Sequence, residues 1–160
     1  MHILYFIRRR LWDPDCESVN EENVQEWHSH VYGKVGIFMF DLRSNRISPE
    51  GNQLSDNALI SDDQWQAFEE FMENPDLKAI ILCSETPFLG DEPSKVKEQA
   101  ENIRSLKFLR DHWAYNDEEL FRLIERCFAW KSEDPCLRDM IFVAGDIHCG
   151  VTITLTGKEF

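Results

Sequence analysis

Residues 34–41 read Lys34-Val35-Gly36-Ile37-Phe38-Met39-Phe40-Asp41, a short unbroken apolar run that ends in a carboxylate. Its apolar residues are consecutive rather than alternate. That pattern suits an interior strand with side chains buried on both faces of a sheet. The same reading holds for 78–83, Lys78-Ala-Ile-Ile-Leu-Cys83, which leads into Ser84-Glu-Thr-Pro87. It holds again for 140–144, Met140-Ile-Phe-Val-Ala144, which leads into Gly145-Asp146. Val151-Thr-Ile-Thr-Leu155 alternates strictly and predicts a half-exposed strand.

Helical patterns fill the intervals. Ser61-Asp-Asp-Gln64 has the form of a capping box, in which Ser61 and Gln64 satisfy free amides of a first turn. Trp65, Phe68 and Met72 follow as an apolar stripe, widened by Phe71. Ser94, after Pro93, predicts a second helix with Val96, Ala100, Ile103 and Leu106 on one face. Asn116 with Glu119 predicts a third, its stripe running Leu120, Phe121, Ile124, Cys127 and Phe128. Strands alternating with helices define an α/β fold. Residues 47–57, rich in Ser, Pro, Gly and Asn, read as a surface loop. Residues 1–32 read as an irregular lead-in, in which Ile3–Ile7 predicts a buried strand or helix start capped by Arg8, Arg9 and Arg10.

Composition narrows the class. The chain has 160 residues, 17 basic and 30 acidic, for a net charge of −13. A 42% apolar content with eleven Phe argues against a disordered chain, despite the acidic balance. The acidic balance argues against nucleic-acid binding, since phosphate backbones repel such a surface. No apolar run approaches the ~18 residues of a membrane span, and no charge-then-apolar order marks a secretory leader. Five cysteines, at 16, 83, 127, 136 and 149, form no C-x-x-C pair. They read as reduced thiols of a cytoplasmic protein, with Cys83 and Cys127 in the core. The seven acids from Asp56 to Asp76 read as solvated surface, as do the basic residues Arg104, Lys107 and Arg110.

Two strand ends carry the chemistry. Gly145-Asp146-Ile147-His148-Cys149-Gly150 follows an apolar strand, at the C-terminal end where open α/β sheets build their sites. Asp146 and His148, two residues apart between glycines, suit a divalent cation; alternatively Asp146 caps the turn and His148 is an ordinary histidine. Asp41 and Arg43 follow another strand, where the carboxylate orients a ligand and the guanidinium grips a phosphoryl oxygen, or where the two merely pair. In Asp111-His112-Trp113, either His112 is a third polar group of the site with Trp113 as its wall, or, more plainly, Trp113 packs in the core and His112 is exposed. His28 and His30 have a metal-like H-x-H spacing that a helix disfavours and only an extended segment permits. There is no G-x-S-x-G, P-loop or G-x-G-x-x-G.

Four segments in order resemble the PhoD-like phosphatases, a branch of the calcineurin-like metallophosphoesterases. Gly36-Ile-Phe-Met-Phe-Asp41-Leu-Arg43-Ser44-Asn45-Arg46 resembles that family's strand ending in D-x-R-S-x-R. Ile60-Ser61-Asp-Asp-Gln64-Trp65 with Phe68 resembles its L-G-x-x-Q-x-x-W-L helix start. Asp111-His112-Trp113 with Leu120 and Leu123 resembles its D-x-W segment, and Phe142-Val-Ala-Gly145-Asp146-Ile147-His148 its closing S-G-D-x-H. The resemblance implies an αββα metallophosphoesterase sandwich. It also implies a centre of two divalent or trivalent metal ions that clamps a phosphate ester and activates a bridging water. In that reading Asp146 and His148 bind metal, while Arg43 and Asp41 assist at the phosphate.

The family's earlier ligand motifs, D-x-H, G-D and G-N-H-[DE], do not occur; Gly90-Asp91 lies in a Pro-rich loop. Residues 33–160 therefore read as the C-terminal half of such a domain, a truncated form with an incomplete site and little or no hydrolysis of its own. A protein partner covering the exposed sheet edge follows from that expectation. The competing reading is a catalytically inactive acidic interaction module. An unrelated α/β fold is the third.

Overall fold

The computed structural model describes residues 27–42, 59–90, 92–103, 109, 112–145, 150 and 152–154. Among them run β1 (His28–Tyr32), β2 (Val35–Met39), α1 (Asp62–Met72), β3 (Ala79–Ser84), α2 (Pro93–Asn102), α3 (Asp117–Glu133) and β4 (Asp139–Ala144). The strands form one mixed sheet in the order β1-β2-β3-β4. β1 and β2 are antiparallel, whereas β2, β3 and β4 are parallel. An α/β fold is thus present, and the three continuous apolar runs are its parallel strands.

β1 lies in the stretch read as irregular. A two-residue turn makes it: Gly33 takes φ 61°, a left-handed conformation that glycine enters at little cost. Tyr32 then pairs with Val35, and the register continues back to His28 opposite Met39.

Coverage of the sheet departs from expectation. Phe38, Ile80 and Leu82 are fully buried on one face, under Trp65, Phe68, Phe71 and Met72 of α1 and Leu120, Leu123, Cys127 and Trp130 of α3. Among the described residues nothing comparable covers the other face. There Val35, Ile141 and Val143 are exposed, and Ile37, Met39, Ile81 and Cys83 are half-buried. A continuous apolar run reports two apolar faces, not two covered ones.

The covered face is aromatic. Phe38 meets Phe68 edge-on at 5.3 Å, and Phe40 meets Trp113 in the same way at 5.5 Å. Such pairs add about 0.5–1.5 kcal/mol each beyond the area they bury. Gly36 admits α1 to close range: a Cβ there would stand 2.6 Å from Phe71 Cζ and 2.9 Å from Leu77 Cδ1.

Helix details correct several local readings. α1 has Ser61 as its N-cap, the hydroxyl accepting from the Gln64 backbone N–H at 3.3 Å. The Gln64 side chain does not return to Ser61; it is fully buried and serves β2. α2 ends at Asn102, so Ile103 leaves the apolar stripe and is 44% exposed. On α3 the buried stripe is Leu120, Leu123, Cys127 and Trp130, while Phe121 is 59% exposed. Residues 152–154 take no part in the sheet, and the ends of that expected strand lie outside the described residues, as do Leu106, Arg104, Lys107 and Arg110. One member of the acidic run is not simply solvated: Glu69 accepts from Arg126 Nε at 2.5 Å, tying α1 to α3.

Candidate functional site

The three parallel strands end together. β2 leads into Asp41, β3 into Glu85 and Thr86, and β4 into Gly145, which immediately precedes Asp146. β2 and β4 flank β3, so their ends stand about 10 Å apart, two strand spacings. Arg43, Asp146 and His148 lie outside the described residues, and only Asp41 of the four sequence-derived site residues has a described place.

Asp41 is 5% exposed, and the chain around it is held on both sides. Phe40 N–H donates to the Cys83 carbonyl at 2.9 Å, which carries the β2–β3 ladder one residue past the strand. Gln64 Oε1 then accepts from Asp41 N–H at 2.8 Å while Gln64 Nε2 donates to the Asp41 carbonyl at 2.9 Å. Leu42 N–H donates to Glu85 Oε2 at 2.9 Å. A backbone leaving a sheet normally takes its hydrogen bonds from water. Here two side chains supply them, because the segment is buried and cannot leave them unmade.

A second anchor lies beside it. Trp113 Nε1 donates to Ser84 Oγ at 2.9 Å, and the indole stacks on Phe88 at 5.4 Å. Trp113 is in the core as read. His112 is buried rather than exposed, at 7%. A tight turn accounts for this: the His112 carbonyl accepts from Tyr115 N–H at 3.1 Å and from Asn116 Nδ2 at 3.0 Å, drawing His112 in beside the tryptophan. Asp111 lies outside the described residues.

Buried polar residues thus gather at the C-terminal end of the sheet: Asp41, Gln64, Thr86 and His112. The Gln64 and Trp113 contacts were not foreseen from sequence. The available signal was slight, since Gln64 stands in a capping-box pattern that explains it locally. Among the described residues no three His, Cys, Asp or Glu side chains come together as a metal set.

Other titratable groups have structural work. Glu119 accepts from Trp65 Nε1 at 3.1 Å and from Leu59 N–H, and burial raises its carboxyl above the ordinary range despite those bonds. Burial raises the Cys83 thiol and pushes that of Cys127 up to about 12, so neither is a ready thiolate at neutral pH. Cys127 is buried as expected, whereas Cys83 is half-buried on the open face. No helix among the described residues is long and apolar enough to cross a membrane. No protein-family model, curated protein or solved structure matches this chain.

Proposed function

We propose that the chain is the C-terminal half of a PhoD-like, metal-dependent phosphoric-ester hydrolase. The convergence of strand ends carries this reading. Asp41, Gln64, Trp113 and Gly145 belong to four segments far apart in sequence, each resembling one motif of that family. Gln64 binds the Asp41 backbone, Trp113 binds the end of β3, and Gly145 closes β4 on the same edge. Asp146 and His148 would then hold a divalent or trivalent ion, and Arg43 with Asp41 would address the phosphate. Buried neighbours strengthen such electrostatic contacts, because low local dielectric screens them less. The remaining ligands of a two-metal centre are not in this sequence, so turnover by this chain alone would be weak or nil.

Metal titration of the purified chain, alongside hydrolysis of a generic phosphate monoester and diester, tests the reading. Binding of one ion that His148→Ala abolishes supports it. Absence of binding by the unaltered chain sinks it. Tight uptake of two ions with brisk turnover would overturn the claim that the site is incomplete.

A second reading rests on the open sheet face. Val35, Ile141 and Val143 form an exposed apolar patch on an otherwise acidic chain, which suits an inactive interaction module. Failure of metal binding together with a stable protein complex lost on Val143→Lys would favour it.

A further inference from the structure

Among the described residues the sheet stops at β4, which has a partner on one side only, β3. Its other edge presents backbone N–H and C=O groups with no strand beside them among the described residues. Proteins usually blunt such edges with lysine, proline, a bulge or a covering element. Asp139-Met-Ile-Phe-Val-Ala144 carries one acid, at its first residue, and neither lysine nor proline.

An apolar shelf runs above that edge. Phe121, Ile124, Phe128 and Lys131 follow one another at spacings of three, four and three, so they line one side of α3. Lys131 Nζ donates to Asp139 Oδ1 at 3.0 Å, which turns this side of the helix toward β4. Met140 and Phe142 alternate with Ile141 and Val143, and so point up beneath the helix, where they pack against the core. This shelf is not closed: Phe121 is 59% exposed, and Ile124, Phe128, Met140 and Phe142 are half-buried. On its rim Glu118 and Glu125, about one turn to either side of Phe121, are exposed and make no ion pair among the described residues.

We propose that this edge takes a strand from another protein: an extended segment with apolar residues at alternate positions, bounded by lysine or arginine. Addition to β4 supplies the hydrogen bonds that its outer edge lacks, and every second side chain enters the shelf under α3. The basic residues answer Glu118 and Glu125. A second copy of the chain fits this edge less well, because two-fold pairing of β4 with itself would set those carboxylates against their counterparts. A helix laid on the shelf would leave the β4 backbone unmet. The surface uses none of the residues assigned to the phosphate ester and does not need the open face.

The probe is the peptide acetyl-Lys-Thr-Val-Thr-Val-Thr-Lys-amide, titrated into the isotope-labelled full chain and followed by NMR. Backbone amide signals of β4 and ring signals of Phe121 and Phe128 should move together. Phe121→Ala should weaken binding about tenfold or more, and Glu118→Gln combined with Glu125→Gln about threefold. These three positions are exposed, so the substitutions leave the core in place. The same peptide with glutamate for lysine should bind more weakly than either variant binds the original. Shifts confined to Val35, Ile37 and Ile81 would place the peptide on the open face and overturn the proposal. So would equal binding of the two peptides, no binding at millimolar peptide, or a dimer of the chain alone that Phe121→Ala dissociates.

Discussion

The side-chain amide of Gln64 forms a two-point bridge to the peptide of Asp41, accepting from its N–H at 2.8 Å and donating to its carbonyl at 2.9 Å. One side chain on α1 thereby completes the hydrogen bonding of the chain as it leaves β2. Gln64→Leu keeps the volume and strands both backbone groups in a buried setting. A loss of about 2–6 kcal/mol is expected from urea unfolding, at roughly 1–3 kcal/mol for each of the two unmet groups. A loss under about 0.5 kcal/mol would show that the bridge is dispensable.

Gly36→Ala tests the close approach of α1. The added methyl meets Phe71 and Leu77, both buried, so neither tip can swing away freely. Overpacking of this kind costs about 1–3 kcal/mol. Thermal denaturation should show a lower midpoint with the sheet otherwise intact; an unchanged midpoint would mean that the helix shifts without penalty.

Glu119 predicts a pH dependence. Its folded-state carboxyl is raised chiefly by burial. The folded form therefore holds a proton more tightly than the unfolded one, and the stability so gained is full below the ordinary carboxylate value of about 4.3. It is lost as pH rises through the raised value. Glu119→Gln removes that term. The stability of the variant relative to the native chain should therefore improve as pH climbs from about 4, measured by denaturant unfolding at stepped pH. A difference that stays flat would assign no such role to Glu119.

Ile141→Lys and Val143→Lys probe the open face. Both residues are about half exposed, so substitution should change stability by no more than about 0.5 kcal/mol and reduce self-association in sedimentation velocity. A loss beyond 2 kcal/mol would instead mean that other parts of the chain cover this face.

The legible parts of the fold are those with strong local patterns. β2, β3 and β4 follow from consecutive apolar residues, and α1 from the spacing of Trp65, Phe68 and Met72. β1 escaped because His28-Ser-His-Val-Tyr32 opens with three polar residues and lacks an apolar run or an apolar–polar alternation, and because the turn at Gly33 has no Asn or Asp beside it. On α3 the apolar residues wrap around the helix, and only packing decides that Leu123 and Trp130 are buried while Phe121 is exposed. Asp41 was readable as a strand-end carboxylate. Its support was not, since Gln64 lies 23 residues away and its local pattern offered a nearer partner. Contacts between distant segments leave little trace in a single sequence.

The strands stand in the sheet in the same order as in the chain. Each new strand therefore docks on the one made just before it, and none must be inserted between two already paired. During synthesis the sheet can grow outward from the β1–β2 hairpin, one crossover at a time, with α1 seated before β3 arrives. β4, the last placed, gains its only partner among the described strands when the helices are already in position. A chain halted before residue 139 would still hold a three-stranded sheet with a free β3 edge, ready to accept a strand from elsewhere.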